Sequence, residues 1–270
     1  MNKESDYPIY ENPPVAETVF SVQFEGLPAQ SVLLAQYWPR VKNAFPKIGV
    51  AQPLPTVFEP EFLTPNFQPL TISFEQDNRV VLDGGSYLLQ VQSNRFLLNW
   101  RKNSTTQDYP GFEINFPKFK NELERFRSFV AEEEIGDIAK FNQLELTYVN
   151  IFDVPRDNGS ASFSGIFKDH CPRLMENRYL DEPEIMNWNS SYKMSNGAGR
   201  LHISSNAGFV IANDGARLQM RVELTARGNS KDDGVSAFDE WFGIAHSHVV
   251  KGFADVIDHE FQKSEWGLKQ

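Results

Sequence analysis

RLQMRVELTARGNSKDDGVSAFDEWFGIAHSHVVKGFADVI, residues 217–257, decides how the chain is built. Its opening alternates. Leu218, Met220, Val222, Leu224 and Ala226 face one way, and Arg217, Gln219, Arg221, Glu223, Thr225 and Arg227 face the other. Period two marks a strand with one apolar side. A polar turn follows, and Ser236 with Asp239 makes a capping-box start. Phe238, Trp241, Phe242, Ala245, Val249, Phe253, Val256 and Ile257 then recur at helical spacing through Ala237–Ile257. A one-sided strand feeding an amphipathic helix gives an α+β layer, with the apolar faces buried against each other.

Strands at Ser191–Ser195, Arg200–Ser204 and Phe209–Ala212 precede this stretch, with Ser205-Asn206 and Asn213-Asp214-Gly215 as turns. Leu144–Phe152 opens the half. Leu144, Leu146 and Tyr148 alternate before Val149 and Ile151 take over, a change of parity that predicts a bulge. Val154–Gly165 reads as a polar loop and Gly165–Leu174 as a short helix, while Arg178–Asn189 carries no clear pattern.

The same order runs earlier in the chain. Thr18–Phe24 alternates, a helical pattern runs from Pro28 to about Phe45 with a kink or stop at Pro39, and hairpins follow at Asp77-Asn78, Asp83-Gly84-Gly85 and Ser93-Asn94. Asn115 is placed to cap a helix with Pro117 in its first turn. Its stripe is Phe116, Phe119, Leu123, Phe126, Phe129 and Val130. The expected fold is therefore α+β: predominantly antiparallel sheet with long amphipathic helices on one face. The order suggests an internally duplicated β-α-β(n)-α unit, residues 1–135 and 136–270, in two lobes or one continuous domain.

Between the halves of the first unit, Pro46, Pro53, Pro55, Pro60, Pro65 and Pro69 fall among Phe58, Phe62 and Phe67. So much proline excludes a helix or a central strand. The aromatic content points to a loop laid over the surface; the functional alternative is a lid or partner-docking loop.

Net charge is −10, with 22 Phe and one cysteine among 270 residues. The acidic balance disfavours general nucleic-acid binding. One thiol, Cys171, makes neither an intramolecular disulfide nor a thiolate zinc site. The opening residues lack a signal-peptide profile and no apolar run reaches the roughly 20 residues that span a bilayer, so a cytoplasmic protein is expected.

No motif names a reaction. His246 and His248 point about 200° apart on a helix. Asp255 and His259 share a stripe without a third ligand, so no metal and no cofactor is expected. Cys171 follows His170 directly, and sequence neighbours rarely serve as nucleophile and base. Glu145 and Glu223 lie on polar strand faces, where either would act as general acid or base if buried. One constellation stands out. Arg217, Arg221 and Arg227 share a strand face, Arg200 and His202 share a nearby one, and Arg95 and Arg101 hold the equivalent place in the first half. Such a face would suit an anionic ligand or an acidic partner segment. The ordinary reading is a solvated face with Arg paired to Glu223 and Glu145.

NPPVAETVFSVQF (Asn12–Phe24) resembles the NPP-(I/V)-x-E-x-V-F-x-(I/V)-x-F opening of a sporadically distributed bacterial family of roughly this chain's length with no assigned activity. RFLLNW (Arg95–Trp100) is similar to its mid-chain strand. AHSHVVKGFADVID (Ala245–Asp258), with Trp266-Gly267, is similar to its closing helix and tail. The resemblance implies a self-contained bacterial protein of mobile or defence-related loci and transfers no catalytic residues. Three functions stay open: a non-catalytic binding module for a protein or small anionic ligand, an enzyme using Glu145 or Glu223 beside the arginines, or a structural subunit of a homo- or hetero-oligomer.

Overall fold

A computed structural model describes residues 7–28, 31–59, 78–104, 107–157, 160–163, 165–168, 179, 183–212, 215–230 and 234–269. His170, Cys171, the proline-rich run beyond residue 59, Asp77, the Asn213-Asp214 turn pair and the end of the helix suggested up to Leu174 lie outside them.

In chain order the elements are β1 (Val15–Phe24), α1 (Ser31–Ala35), α2 (Trp38–Val41), β2 (Lys47–Ala51), β3 (Arg79–Asp83), β4 (Tyr87–Gln92), β5 (Arg95–Arg101), α3 (Phe112–Glu132) and β6 (Phe141–Asp153). There follow β7 (Arg156–Asp157), β8 (Ser160–Ala161), β9 (Asn187–Lys193), β10 (Arg200–Ala212), β11 (Gly215–Gly228), α4 (Val235–Val256) and α5 (His259–Trp266). The protein is α+β. Among the described residues one antiparallel sheet has nine strands in the order β2-β3-β4-β5-β1-β6-β11-β10-β9, and β7 pairs with β8 separately. No described helix is long and apolar enough to cross a membrane.

Two compact units are distinguished, one of Thr18–Leu146 with Arg227–Trp241, the other of Met1–Glu17, Thr147–Ala226 and Phe242–Gln270. In the first, alternation sorts the side chains. Phe20 and Val22 of β1, Val80 and Leu82 of β3, Leu89 and Val91 of β4, and Phe96 and Leu98 of β5 are all buried. They meet the apolar stripe of α3. Phe20 lies 6.0 and 5.4 Å from Phe116 and Phe119, and Phe96 lies 5.3 Å from Phe126. Tyr37 packs on Phe126 and Phe129, both at 5.3 Å. Wide rings fill the layer between sheet and helix, as offset and edge contacts.

In the second unit, Leu218, Met220, Val222 and Leu224 of β11 and Leu201 and Ile203 of β10 are buried, as are Phe242, Ala245, Val249 and Phe253 of α4. A Cβ added at Gly252 would meet Leu201 Cδ2 at 2.7 Å, so the glycine lets α4 approach the sheet closely. Trp266 closes the chain against Phe152 (5.1 Å) and Phe253 (5.3 Å). Asp258 caps α5 by accepting from Glu260 N and Phe261 N.

Local expectations are corrected at four places, and the break expected at Pro39 is present. Helix α3 begins at Phe112 after Gly111, so Pro117 lies inside it and Asn115 is not its cap. Asn115 is buried, and its Oδ1 accepts from Tyr87 Oη at 2.8 Å, a tertiary partner that outweighs its capping preference. The helical pattern from Pro28 to Phe45 breaks into the short α1 and α2, with Pro39 at the start of α2. Ser205-Asn206 is not a turn, because β10 runs through it: Ser205 is fully buried and its hydroxyl donates to Met220 Sδ. The strand expected at Ser191–Ser195 runs instead from Asn187 to Lys193, where it pairs with β10 through Asn187↔Asn206. The parity of β6 does not switch, since Phe152 stays buried and Ile151 is exposed; Val149 is buried on the opposite side of the strand.

Candidate functional site

On the side of the sheet opposite α3, the polar positions of the first unit form a row. By strand parity it collects Arg79 (β3), Gln92 (β4), Arg95 (β5), Gln23 (β1), Glu145 (β6) and Arg227 (β11), six adjacent strands in sheet order. The β4–β5 register sets Gln92 opposite Arg95. Arg95, Gln23, Gln92 and Glu145 are buried, at 5, 1, 5 and 7 % exposure.

Glu145 is the hub. Its Oε1 lies 3.2 Å from Arg95 Nη1, and its Oε2 accepts from Arg227 Nε at 2.7 Å. Arg95 Nη2 also donates to Gln23 Oε1 (2.6 Å) and to the Pro55 carbonyl (3.1 Å). Burial and the neighbouring positive charge of Arg227 and Arg79 lower the Arg95 pKa against the opposing pull of Glu145. Arg79 makes no hydrogen bond through its buried Nε, and burial lowers its pKa as well.

Residues 52–59 lie over this row. Gln92 accepts from Leu54 N (2.8 Å) and donates to Leu54 O (3.0 Å). Gln23 accepts from Val57 N at 3.2 Å, and Gln143 accepts from Glu59 N at 2.7 Å. Asn94 donates to Thr56 Oγ1. Proline-interrupted backbone cannot join a ladder, so its polar groups are satisfied by long amide side chains reaching out of the sheet.

The other sequence-selected residues lie elsewhere. Arg101 pairs with Asp83 at 3.3 Å on β5, one strand end away from Arg95. On β11, Arg221 pairs with Glu223, and Arg217 lies 3.6 Å from Asp153. His202 shares a hydrogen bond with Ser191 Oγ at 2.8 Å, and Arg200 is buried on β10. The structure thus joins Arg95, Glu145 and Arg227 by direct contacts, while Arg101, His202, Arg217 and Arg221 have the partners just named. Arg79 and the three glutamines escaped the sequence reading. Their signal is parity: Arg79 alternates with the buried Val80 and Leu82 just after a turn.

The histidines are held structurally. His246 sits against Tyr7 (5.0 Å) and Tyr148 (6.1 Å), where burial lowers its pKa to about 4. His248 Nε2 accepts from Ser195 N at 3.2 Å, and its Nδ1 is 2.9 Å from the Ile244 carbonyl. Among the described residues no three His, Cys, Asp or Glu side chains are grouped to hold a metal ion.

No protein-family model and no curated protein matches the chain.

Proposed function

We propose that the protein is a non-catalytic binding module that engages an anionic group, on a small ligand or on an acidic stretch of a partner protein, at the polar row of its sheet. The carrying observation is local charge. Arg95 and Arg227 both pair with one carboxylate, Glu145, and Arg79 lies farther along the same row on the Arg95 side, in a chain whose net charge is −10. Guanidinium groups are weakly hydrated and match carboxylate or phosphate geometry with paired donors. Arg79 and Arg227 are only partly covered, which leaves them reachable from the rim of residues 52–59. Both oxygens of Glu145 are taken by arginines and Glu223 holds Arg221, which supports binding over acid–base work.

Citrate titrated calorimetrically tests this. Arg79→Ala and Arg227→Ala are each expected to weaken citrate binding about tenfold, the worth of one charge-assisted contact. Glu145→Gln is expected to strengthen it, and Arg40→Ala, distant and paired to Glu132 and Glu133, to leave it alone. Equal citrate affinity in the Arg79→Ala/Arg227→Ala double variant refutes the reading.

A second reading, an oligomer subunit, is favoured by β2, an edge strand among the described residues, which exposes Ile48 (43 %) and Val50 (69 %). Light scattering across a concentration series tests it: a dimer lost in Val50→Lys supports pairing through β2, and a monomer throughout rejects it.

The same proposal reads the chain as a duplication with its long helices on one sheet face. In the strand order, β1 lies beside β5 and β6 beside β11, each partner being the last strand before a 21- or 22-residue helix. Membership of the sporadic bacterial family is proposed on the likeness of Asn12–Phe24, Arg95–Trp100 and Ala245–Asp258 to its motifs.

A further inference from the structure

We infer that the first unit carries a separate site, a pocket between α3, the start of β6 and the start of α4, that takes a small amphipathic carboxylate. The cavity measures about 350 Å³, within the range of small-molecule sites. Leu123, Phe141 and Phe238 supply an apolar wall, with the Phe141 and Phe238 rings 5.4 Å apart. Among the described residues, Lys120, Arg127 and Lys140 line it with positive charge, Glu124 is the one carboxylate of the lining, and Asp239 stands beside it on Lys120. An apolar wall under a cationic rim fits a molecule with an apolar body and a single anionic head, and selects against a cationic or neutral head.

The ion pairs of Arg127 and Lys120 do not block the site. Arg127 holds Glu124 at 2.7 Å and Lys120 holds Asp239 at 2.7 Å, and all four side chains are well exposed, between 34 and 66 %. Exposed pairs of this kind are worth about 0–1 kcal/mol. A ligand carboxylate can therefore exchange into them cheaply. The polar row uses other residues, so the two sites are separable by mutation.

The test is calorimetric titration of the full chain with decanoate, decyltrimethylammonium and decanol. Decanoate is expected to bind saturably and about tenfold more tightly than either analogue, the effect of one favourable charge contact. Lys140→Glu should weaken it by a similar factor, and Ala139→Trp, which fills the mouth from an exposed lining position, should abolish it. Thermal melts of both variants confirm folding. The inference is overturned if decanoate shows no saturable binding, if the cationic amphiphile binds as well, or if decanoate binding is lost in Arg79→Ala/Arg227→Ala while persisting in Ala139→Trp.

Discussion

Replacing Glu145 by Gln keeps the shape of the hub and removes its charge. In the native protein its side chain is 10 % exposed, with Arg95 at 6 % and Arg227 at 22 %. An amide offers one oxygen, and the shorter contact, to Arg227 Nε at 2.7 Å, claims it. The amide nitrogen then faces the Arg95 guanidinium, which keeps Gln23 Oε1 and the Pro55 carbonyl but loses its counter-ion. Removing one member of a buried pair costs about 3–5 kcal/mol, since a desolvated charge is left uncompensated. Two surviving acceptors place this case near the lower end, about 3 kcal/mol. For a chain of this size that lowers the thermal midpoint by about 6–12 °C. Differential scanning fluorimetry with far-UV circular dichroism reads it. The double variant Arg95→Met/Glu145→Gln, which removes both buried charges, is expected to recover at least half of the loss. A Glu145→Gln midpoint within about 2 °C of wild type, or a double variant worse than the single, refutes the argument that Glu145 neutralises the row.

Other perturbations probe the rest of the fold. Phe119→Ala removes a fully buried ring 5.4 Å from Phe20 and 6.1 Å from Phe96; it should cost about 3–5 kcal/mol in urea unfolding, and a loss under about 1 kcal/mol contradicts the aromatic layer. Gly84→Ala would put a Cβ 2.3 Å from the Ala44 carbonyl oxygen, which is backbone and cannot turn aside, whereas Gly49→Ala meets nothing; the first should lose about 1–3 kcal/mol and the second under about 0.5. His246 is half-buried and held neutral, with its pKa lowered from 6.5 to about 4 by desolvation, so its contribution is present above pH 6.5 and lost as pH falls through 4. Discounted for residual exposure, this is about 2 kcal/mol; His246→Phe should flatten the acid limb of a stability–pH profile, and an unchanged limb contradicts the burial.

Much of the layer plan was legible because it is written in local periodicity. Leu218 to Ala226 alternate and are buried as read, and Phe116 to Val130 form the buried stripe of α3. Readings failed where a distant partner decided. Asn115 has the chemistry of a cap, but Tyr87 claims its side chain; Ser205-Asn206 has the chemistry of a turn, but Met220 satisfies the serine inside a strand. The site followed the same division. Parity put Arg95, Glu145 and Arg227 on polar faces, yet only the strand order β5-β1-β6-β11 brings them together. Arg79 stayed hidden because a single arginine after a turn looks like any solvated residue until burial is known.

Side-chain NMR of the arginines during citrate addition reads engagement of the polar row itself. The Arg79 and Arg227 Nε–H resonances are expected to shift and saturate, while Arg40 stays still. Saturable shifts confined to Arg127 or to other arginines, with Arg79 and Arg227 unmoved, would contradict it.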